Sequence, residues 1–516
     1  MCECVYSTAA SMLLPVVLRV SGTRLLCARV PSALARPLSG STQAQADPPP
    51  PGTPIPPPPS NRSSVITDFG VVEVAFSGKR FGDLLRAWVV LKLCGWPWLV
   101  HNSSRLLKLS NQILGTKITH FFLRQSFFGH FCGGETQQEI IPTINHLRAY
   151  GIGSIIDFAA EAPEEEANDD KKSSKEKALS PSEKTGIAED VISARVFEYE
   201  GEQKCESYMS IFMEAIQSAA MQEKGFAAIK MTALGNPDLL EHISYVKHEI
   251  RRLFRKLDTD HPRGAPYLAR RLTLDEMKDG LKSLGACCTD EQVESMFHRA
   301  DLNKNGYVDY LEWTNFVTPQ NPDTRVLFTR GLAGDTRFDI PALSDKQIRQ
   351  MDNILNRLSR LAVEANRLGV RLMIDAEHAQ FQPAIDQLTL DCQRKFNLER
   401  PIIFGTIQGY LRDSLGRVHV NIERARREGW KLGFKLVRGA YMVHERKRAK
   451  HLGYKDPVHA TLQDTHDSYN RIAELFLRNL GKGGELMVAT HNSTSVQLVT
   501  DWMEVCRMLL KKHMCV

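Results

Sequence analysis

The sequence predicts an α/β fold of repeated strand-then-helix units, and three observations carry the prediction. Short apolar runs recur along the chain: "GIGSIIDF", "FAAIKMTAL", "VRLMIDAE", "PIIFGTIQ", "FKLVRGAY" and "LMVATHN". They are continuous rather than alternating, as in parallel strands buried on both faces. Helix-like segments separate them. In "DNILNRLSRLAVEANRLG", Leu355, Leu358, Leu361, Ala362 and Ala365 fall at helical spacing and Gly369 supplies a C-cap. Finally, each run closes on polar residues: Asp157, Lys230 with Thr232, Asp375 with Glu377, Gln408, Arg438 and His491. Such repeats fit a doubly wound sheet or a (βα) barrel, and in a barrel the C-terminal strand ends face the active site.

The chain has 516 residues, enough for a large core and more than one domain. A net charge of +6 is small at this length and gives no case for nucleic-acid binding. None of the 11 cysteines forms a C-x-x-C pair, so they read as reduced thiols in an intracellular compartment.

Residues 1–46 hold one acid, Glu3, while Arg19, Arg24, Arg29 and Arg36 recur among Ser, Ala and Leu. That is the composition of a mitochondrial transit peptide, with a plain unstructured terminus as the alternative. Residues 47–68, opening on "DPPPPGTPIPPPPS", read as a stiff extended linker. Residues 69–150 form an N-terminal helical region. Within it Arg86–Leu109 reads as helix, too interrupted by Lys92 and Pro97 to span a bilayer. Two readings stay open: a buried helix, or a foot lying on a membrane, suggested by Trp88, Trp96 and Trp98 beside basic residues. The first part of the strand–helix core covers 151–248, interrupted at 161–186 by a stretch almost free of apolar residues, expected to be disordered. A second insert covers 249–318, and the core resumes over 319–516.

The second insert contains "DLNKNGYVDYLEW", with the spacing D-x-N-x-N-G-x-x-D-x-x-E. Asp301, Asn303 and Asn305 would offer side-chain oxygens, Gly306 the sharp turn, Tyr307 its carbonyl, Asp309 a water-mediated contact and Glu312 a bidentate closure. The flanks suit helices, so calcium binding in an EF-hand is expected. Three carboxylates argue for modest affinity. An upstream partner begins at Asp258 and Asp260, but Pro262, Gly264 and Pro266 intrude and its closing acid, Glu276, comes late. It is expected to pack without binding.

The motifs "GVRLMIDAEHAQFQPAI", "PIIFGTIQGYL", "FKLVRGAYMVHERKRA", "GYKDPVHAT" and "VATHN" resemble the proline dehydrogenase family of mitochondrial flavoenzymes. "FGHFCGGE" and "GFAAIKMTALG" agree with that resemblance, which runs from about Phe69 to Asn492 outside the two inserts. It implies a distorted (βα)8 barrel with FAD at the C-terminal strand ends. It also implies oxidation of L-proline to 1-pyrroline-5-carboxylate, with electrons passing to ubiquinone. The setting it implies is the matrix side of the inner mitochondrial membrane, to whose surface the enzyme is peripheral. By matching position, Lys230, Asp375 and Tyr441 would lie at the substrate. Gln408, Lys435, Arg438, Thr490, His491 and Asn492 would hold the cofactor, either Lys435 or Arg438 being the cation beside flavin N5. A Lys230–Asp375 internal salt bridge is the structural alternative for that pair. An EF-hand pair inserted before the strand carrying Asp375 also occurs in some animal members.

After "VATHN" the family continues through two more βα units, whereas this chain closes with "STSVQLVTDWMEVCRMLLKKHMCV". The expectation is therefore an incomplete barrel of about six strands with an open sheet edge and impaired turnover. Two further readings stand beside this one: a hydroxyproline dehydrogenase, and a calcium-binding interaction protein without catalysis.

Overall fold

The computed structural model describes residues 16–21, 76, 79–158, 199–222, 225–262, 265–286, 288–319, 321–328, 342–479 and 483–513, with a few side chains in these ranges left aside. The proposed leader (except 16–21), the proline-rich linker and the polar insert at 161–186 lie outside the described residues.

Among the described residues nine strands form two sheets. They are β1 (Val16–Ser21), β2 (Ile155–Asp157), β3 (Phe226–Ile229), β4 (Arg271–Leu272), β5 (Val308–Asp309), β6 (Arg371–Ile374), β7 (Ile403–Gln408), β8 (Gly433–Val437) and β9 (Glu485–Thr490). The main sheet runs β1-β9-β8-β7-β6-β3-β2. Its last six members pair in parallel, each helix-linked to the next, so the six strand runs expected from sequence all form and stand in sequence order. The helices Glu202–Ala219, Asp345–Leu368 and Gln382–Phe396 cover β2, β3 and β6 from outside. Those at Ser414–Glu428, Leu462–Arg478 and Ser493–His513 cover β7 to β9. Gly369 ends its helix in the left-handed conformation, φ 72°, as its C-cap position requires.

Side chains inside the sheet show that it curls. Arg371 on β6 binds Glu485 on β9 at 3.0 and 3.2 Å, although β7 and β8 lie between them. In a flat sheet, strands three places apart would be about 14 Å apart. Phe226, Met373, Phe404 and Met487 fill the concave interior above this ion pair. The architecture is thus half a barrel. One feature differs from expectation: the β9 edge is not bare, because Val16–Ser21 pairs along its whole length in antiparallel register, Val16 opposite Thr490. "VVLRVS" is rich in β-branched residues and suits a strand. This strand lies within the stretch whose composition reads as a leader.

The stretch Arg86–Leu109 is not one helix. It breaks at Gly95–Trp96 and at Asn102 into Phe81–Cys94, Pro97–His101 and Ser103–Leu114. Nor is it buried. Val90 is its one buried residue, while Trp88, Trp96 and Trp98 are each more than half exposed. No helix among the described residues is long and apolar enough to cross a membrane.

The second insert has its own core, built on Leu272, Met277, Val293, Phe297, Leu311 and the fully buried Trp313. Its expected start at residue 249 falls inside a continuous helix, Pro237–Leu257. The first half of that helix packs Leu239, Leu240 and Ile243 into the sheet's core; the second half packs Val246, Ile250, Leu253, Phe254 and Leu257 into the insert.

Candidate active site at the strand ends

All nine residues assigned to substrate or cofactor lie at or beside the C-terminal ends of the parallel strands. Lys230 follows β3, Asp375 follows β6 and Gln408 closes β7. Lys435 is on β8, with Arg438 and Tyr441 just beyond it. Thr490 closes β9, and His491 and Asn492 lead into the last helix.

Two clusters result. In the first, Lys435 Nζ donates to Asp375 Oδ1 at 2.5 Å across the concave face, with both side chains mostly buried. The Asp375 N–H is fixed by the Ile229 carbonyl at 2.9 Å, which extends the ladder beyond β3 and β6. Asp157 joins this cluster. Burial and then the negative charge of Asp375 raise its carboxyl pKa, while Lys230 and Lys435 pull it down. Glu377 is buried, which raises its pKa, and it accepts from the Thr232 N–H at 3.1 Å and the Thr232 hydroxyl at 2.7 Å. Tyr441 donates to the Ala376 carbonyl at 3.3 Å; burial, then Glu377 and Asp375, push its phenol pKa up.

Gln408 is 1% exposed. Its Nε2 donates to the Glu377 carbonyl at 3.2 Å, and its buried Oε1 has no hydrogen-bond partner among the described residues. A buried acceptor left so is costly unless a donor from outside the chain reaches it.

The second cluster surrounds Arg438. Its guanidinium donates to His466 Nδ1 at 2.9 Å, Thr490 Oγ1 at 2.6 Å and Ser495 Oγ at 2.9 Å, and it lies 4.3 Å from the Tyr469 ring centroid. Burial lowers its pKa. The Tyr469 hydroxyl lies 3.2 Å from the Leu436 carbonyl and 3.1 Å from that of Ala489, spanning β8 and β9. Asn492 Oδ1 accepts the Ser495 N–H at 2.9 Å, capping the last helix. His491 is exposed.

Asp157, Glu377 and Thr232 were visible in sequence as polar strand ends but carried no assigned role. His466, Tyr469 and Ser495 carried no such signal, since they meet Arg438 from two helices. Gly439 is required where it stands: its φ is +134° and a Cβ there would fall 1.4 Å from Tyr410 Cε1.

In the insert, Asp301 Oδ1 accepts the Asn305 N–H at 3.1 Å and Oδ2 that of Gly306 at 2.9 Å. Asn303 accepts from Asn305 N–H, and Asn305 from Tyr307 N–H. Lys304 (φ 56°) and Gly306 (φ 81°) turn the chain. The Glu312 carboxylate accepts the Asp309 N–H, while Asp309 accepts from Leu311 and Glu312 and pairs with Arg427 of the Ser414–Glu428 helix. Upstream, β4 pairs antiparallel with β5 through Leu272 and Val308. Asp258 is occupied by Arg270 at 2.5 Å and His261 at 2.8 Å.

Comparison with known proteins agrees with the resemblance seen in sequence. The profile of the family described as Proline dehydrogenase matches residues 140–512. "Proline dehydrogenase 1, mitochondrial" of Homo sapiens is 35% identical over 463 residues, covering 85% of this chain and 76% of that protein. "Hydroxyproline dehydrogenase" of Xenopus laevis is 26% identical over 425 residues, covering 82% of this chain and 70% of that protein. Among solved structures, proline utilization A from Bdellovibrio bacteriovorus, inactivated by N-propargylglycine, aligns at 14% identity and TM-score 0.42. The alignment covers 77% of this chain and 29% of that one, so this chain spans under a third of that protein's length.

Proposed function

This chain belongs to the proline dehydrogenase family, and from that premise we propose that its strand-end cluster oxidises L-proline to 1-pyrroline-5-carboxylate with FAD. The observation that carries this reading is the Lys435–Asp375 pair on the concave face with Lys230 and Asp157 beside it. The higher identity of relatives named proline dehydrogenase favours proline over hydroxyproline.

The donor set suits a flavin. The partnerless Gln408 Oε1 offers an acceptor to a ring N–H, and Arg438, Thr490, His491 and Asn492 line the β8–β9 end of the site. Lys435, which pairs with Asp375 on the concave face, would be the cation nearer the reacting part of a flavin, and Arg438, which binds Thr490 and Ser495, would hold the rest of the cofactor. FAD, when bound, would supply the hydride acceptor for the proline ring carbon next to nitrogen. The protein's own groups prepare that transfer. Lys230 attracts the substrate carboxylate. The ring nitrogen must be neutral to expel hydride, and Asp157, at the exposed C-terminal end of β2, would take that proton. Asp375 stabilises the positive charge that develops there, held in place by Lys435. Tyr441 closes the side of the pocket. Proline-dependent reduction of a quinone analogue by the FAD-supplemented chain tests this. Slow reduction with L-proline, in keeping with a half-barrel of six parallel strands, and none with D-proline is expected; a chain that retains no flavin would end it.

The same reading puts ubiquinone downstream, in mitochondria on the matrix side of the inner membrane. The N-terminal helices support a peripheral membrane contact. From Lys79 to Phe131 there are four lysines and four arginines against one acid, Asp83, and Phe81, Trp88, Trp96, Trp98, Phe121 and Phe122 are exposed. Replacing Trp96 and Trp98 by Ser should weaken sedimentation with anionic vesicles.

The insert's loop supports calcium held by Asp301, Asn303, Asn305, the Tyr307 carbonyl, Asp309 and Glu312. Burial, with repulsion from Asp309 and Asp301, raises the Glu312 carboxyl pKa, a tension that a cation relieves. The Arg427–Asp309 pair offsets part of the loop's charge, which fits modest affinity.

A further inference from the structure

Beside the strand-end cluster, three metal-binding side chains converge that no step above uses. His378 follows Glu377 beyond β6, and His444 and Glu445 lie in the first turn of the helix Met442–Leu452. One ligand atom from each lies within 4.8 Å of the other two. We propose that His378, His444 and Glu445 form a binding site for a divalent transition metal of the zinc type, clamping the chain after β6 to this helix.

The donor chemistry favours that class. Two imidazoles and a carboxylate are a zinc ligand set and leave a fourth position for water. Calcium and magnesium would instead call for oxygen alone. Ligand atoms about 2 Å from a tetrahedral ion sit about 3.4 Å apart, so small side-chain rotations close the site. Glu445 is 0% exposed. Its Oε1 accepts the Ala379 N–H at 2.7 Å, which orients the carboxylate as an outer-shell donor does in metal sites. Its Oε2 is buried with no hydrogen-bond partner among the described residues, and so is His444 Nδ1. The neighbouring cation Arg448 is already committed to Glu241 at 2.8 Å. Burying a carboxylate oxygen without a donor is costly, and a metal would remove that cost. His444 is only half-buried, which gives an ion a way in. The His378 ring packs 4.4 Å from both His444 and Tyr441, so the metal would also fix the Tyr441 ring.

The proposal does not depend on the proline reading, and its test does not use turnover. Full-length protein with its calcium loop saturated is titrated with zinc against a chromophoric chelator, then loaded with cobalt(II) for visible spectroscopy. One equivalent bound tighter than about 1 μM is expected, with the strong visible bands of a four-coordinate cobalt site. His444→Gln and His378→Gln should each weaken binding at least about tenfold, with circular dichroism unchanged. His444 is the safer variant, being half-buried, while the exposed His298→Gln serves as control and should bind normally. Absence of stoichiometric zinc binding by the parent chain, or binding unchanged in His444→Gln, would overturn the proposal.

Discussion

On the concave face of the sheet, Asp375 is held by Lys435, 60 residues away in the chain. In the inserted loop, Asp301 is held by the N–H groups of residues four and five positions on. One carboxylate needs the whole half-barrel to meet its partner; the other is placed by its own loop. The sheet's site therefore depends on contacts far apart in the chain, the loop's mainly on contacts within a few residues. The cores differ likewise. The sheet's spans many helices, whereas the insert's closes around Trp313, whose Nε1 donates to the Ile250 carbonyl at 3.1 Å.

The largest effect should come from Trp313→Ala, a cost of about 3–5 kcal/mol. Because Ile250 belongs to the helix shared by both cores, urea unfolding should remain a single transition shifted as a whole. Two separated transitions would show that the cores are independent. Asp375→Ala should lower kcat/KM for proline on the order of 10²–10³-fold, about 2.7–4 kcal/mol. Asp301→Asn should do the reverse, weakening calcium binding by calorimetry and leaving proline turnover intact; a fall in turnover would mean that the loop and the sheet communicate.

Lys247, on the shared helix, sharpens the comparison through pH. Its Nζ donates to Gln387 Oε1 at 2.7 Å, and burial, then Arg251 and Arg424, lower its pKa to about 7. The unfolded chain keeps that proton up to the ordinary lysine value of 10.5, so between about 7 and 10.5 it binds more protons than the folded state. Stability should then rise with pH across that window and carry the full burial penalty below it. Lys247→Met should flatten the rise in chemical denaturation curves. The smallest effect expected is from Asn492→Ala, about 1 kcal/mol for a lost helix cap, read as a small drop in melting temperature.

The strand ends were legible because buried parallel strands write continuous apolar runs, and a charge closing such a run stands out. Asp375 and Lys230 could be named that way. The calcium-type spacing was legible because its contacts span only a few residues. Partnership across the sheet was not: Lys435 and Asp375 meet only because the sheet curls, and nothing local in "FKLVRG" records that curl. His466 and Tyr469 were hidden in an amphipathic helix whose pattern marks which face is buried but not which strand ends it meets. The buried-helix reading of Arg86–Leu109 failed because an apolar run looks the same in a short window whether it faces a core or not; the tryptophans beside basic residues pointed to the other reading. The insert's boundary was misplaced because the helix it grows from has no break at Glu249.

That unbroken helix has a geometric consequence. An insertion joined through loops tolerates changes in linker length, but this one is keyed to its host by helical phase. Removing one residue near Tyr245 would turn everything beyond it by about 100° and draw it in by 1.5 Å. The seam between host and insert should therefore tolerate substitution but not a change in length.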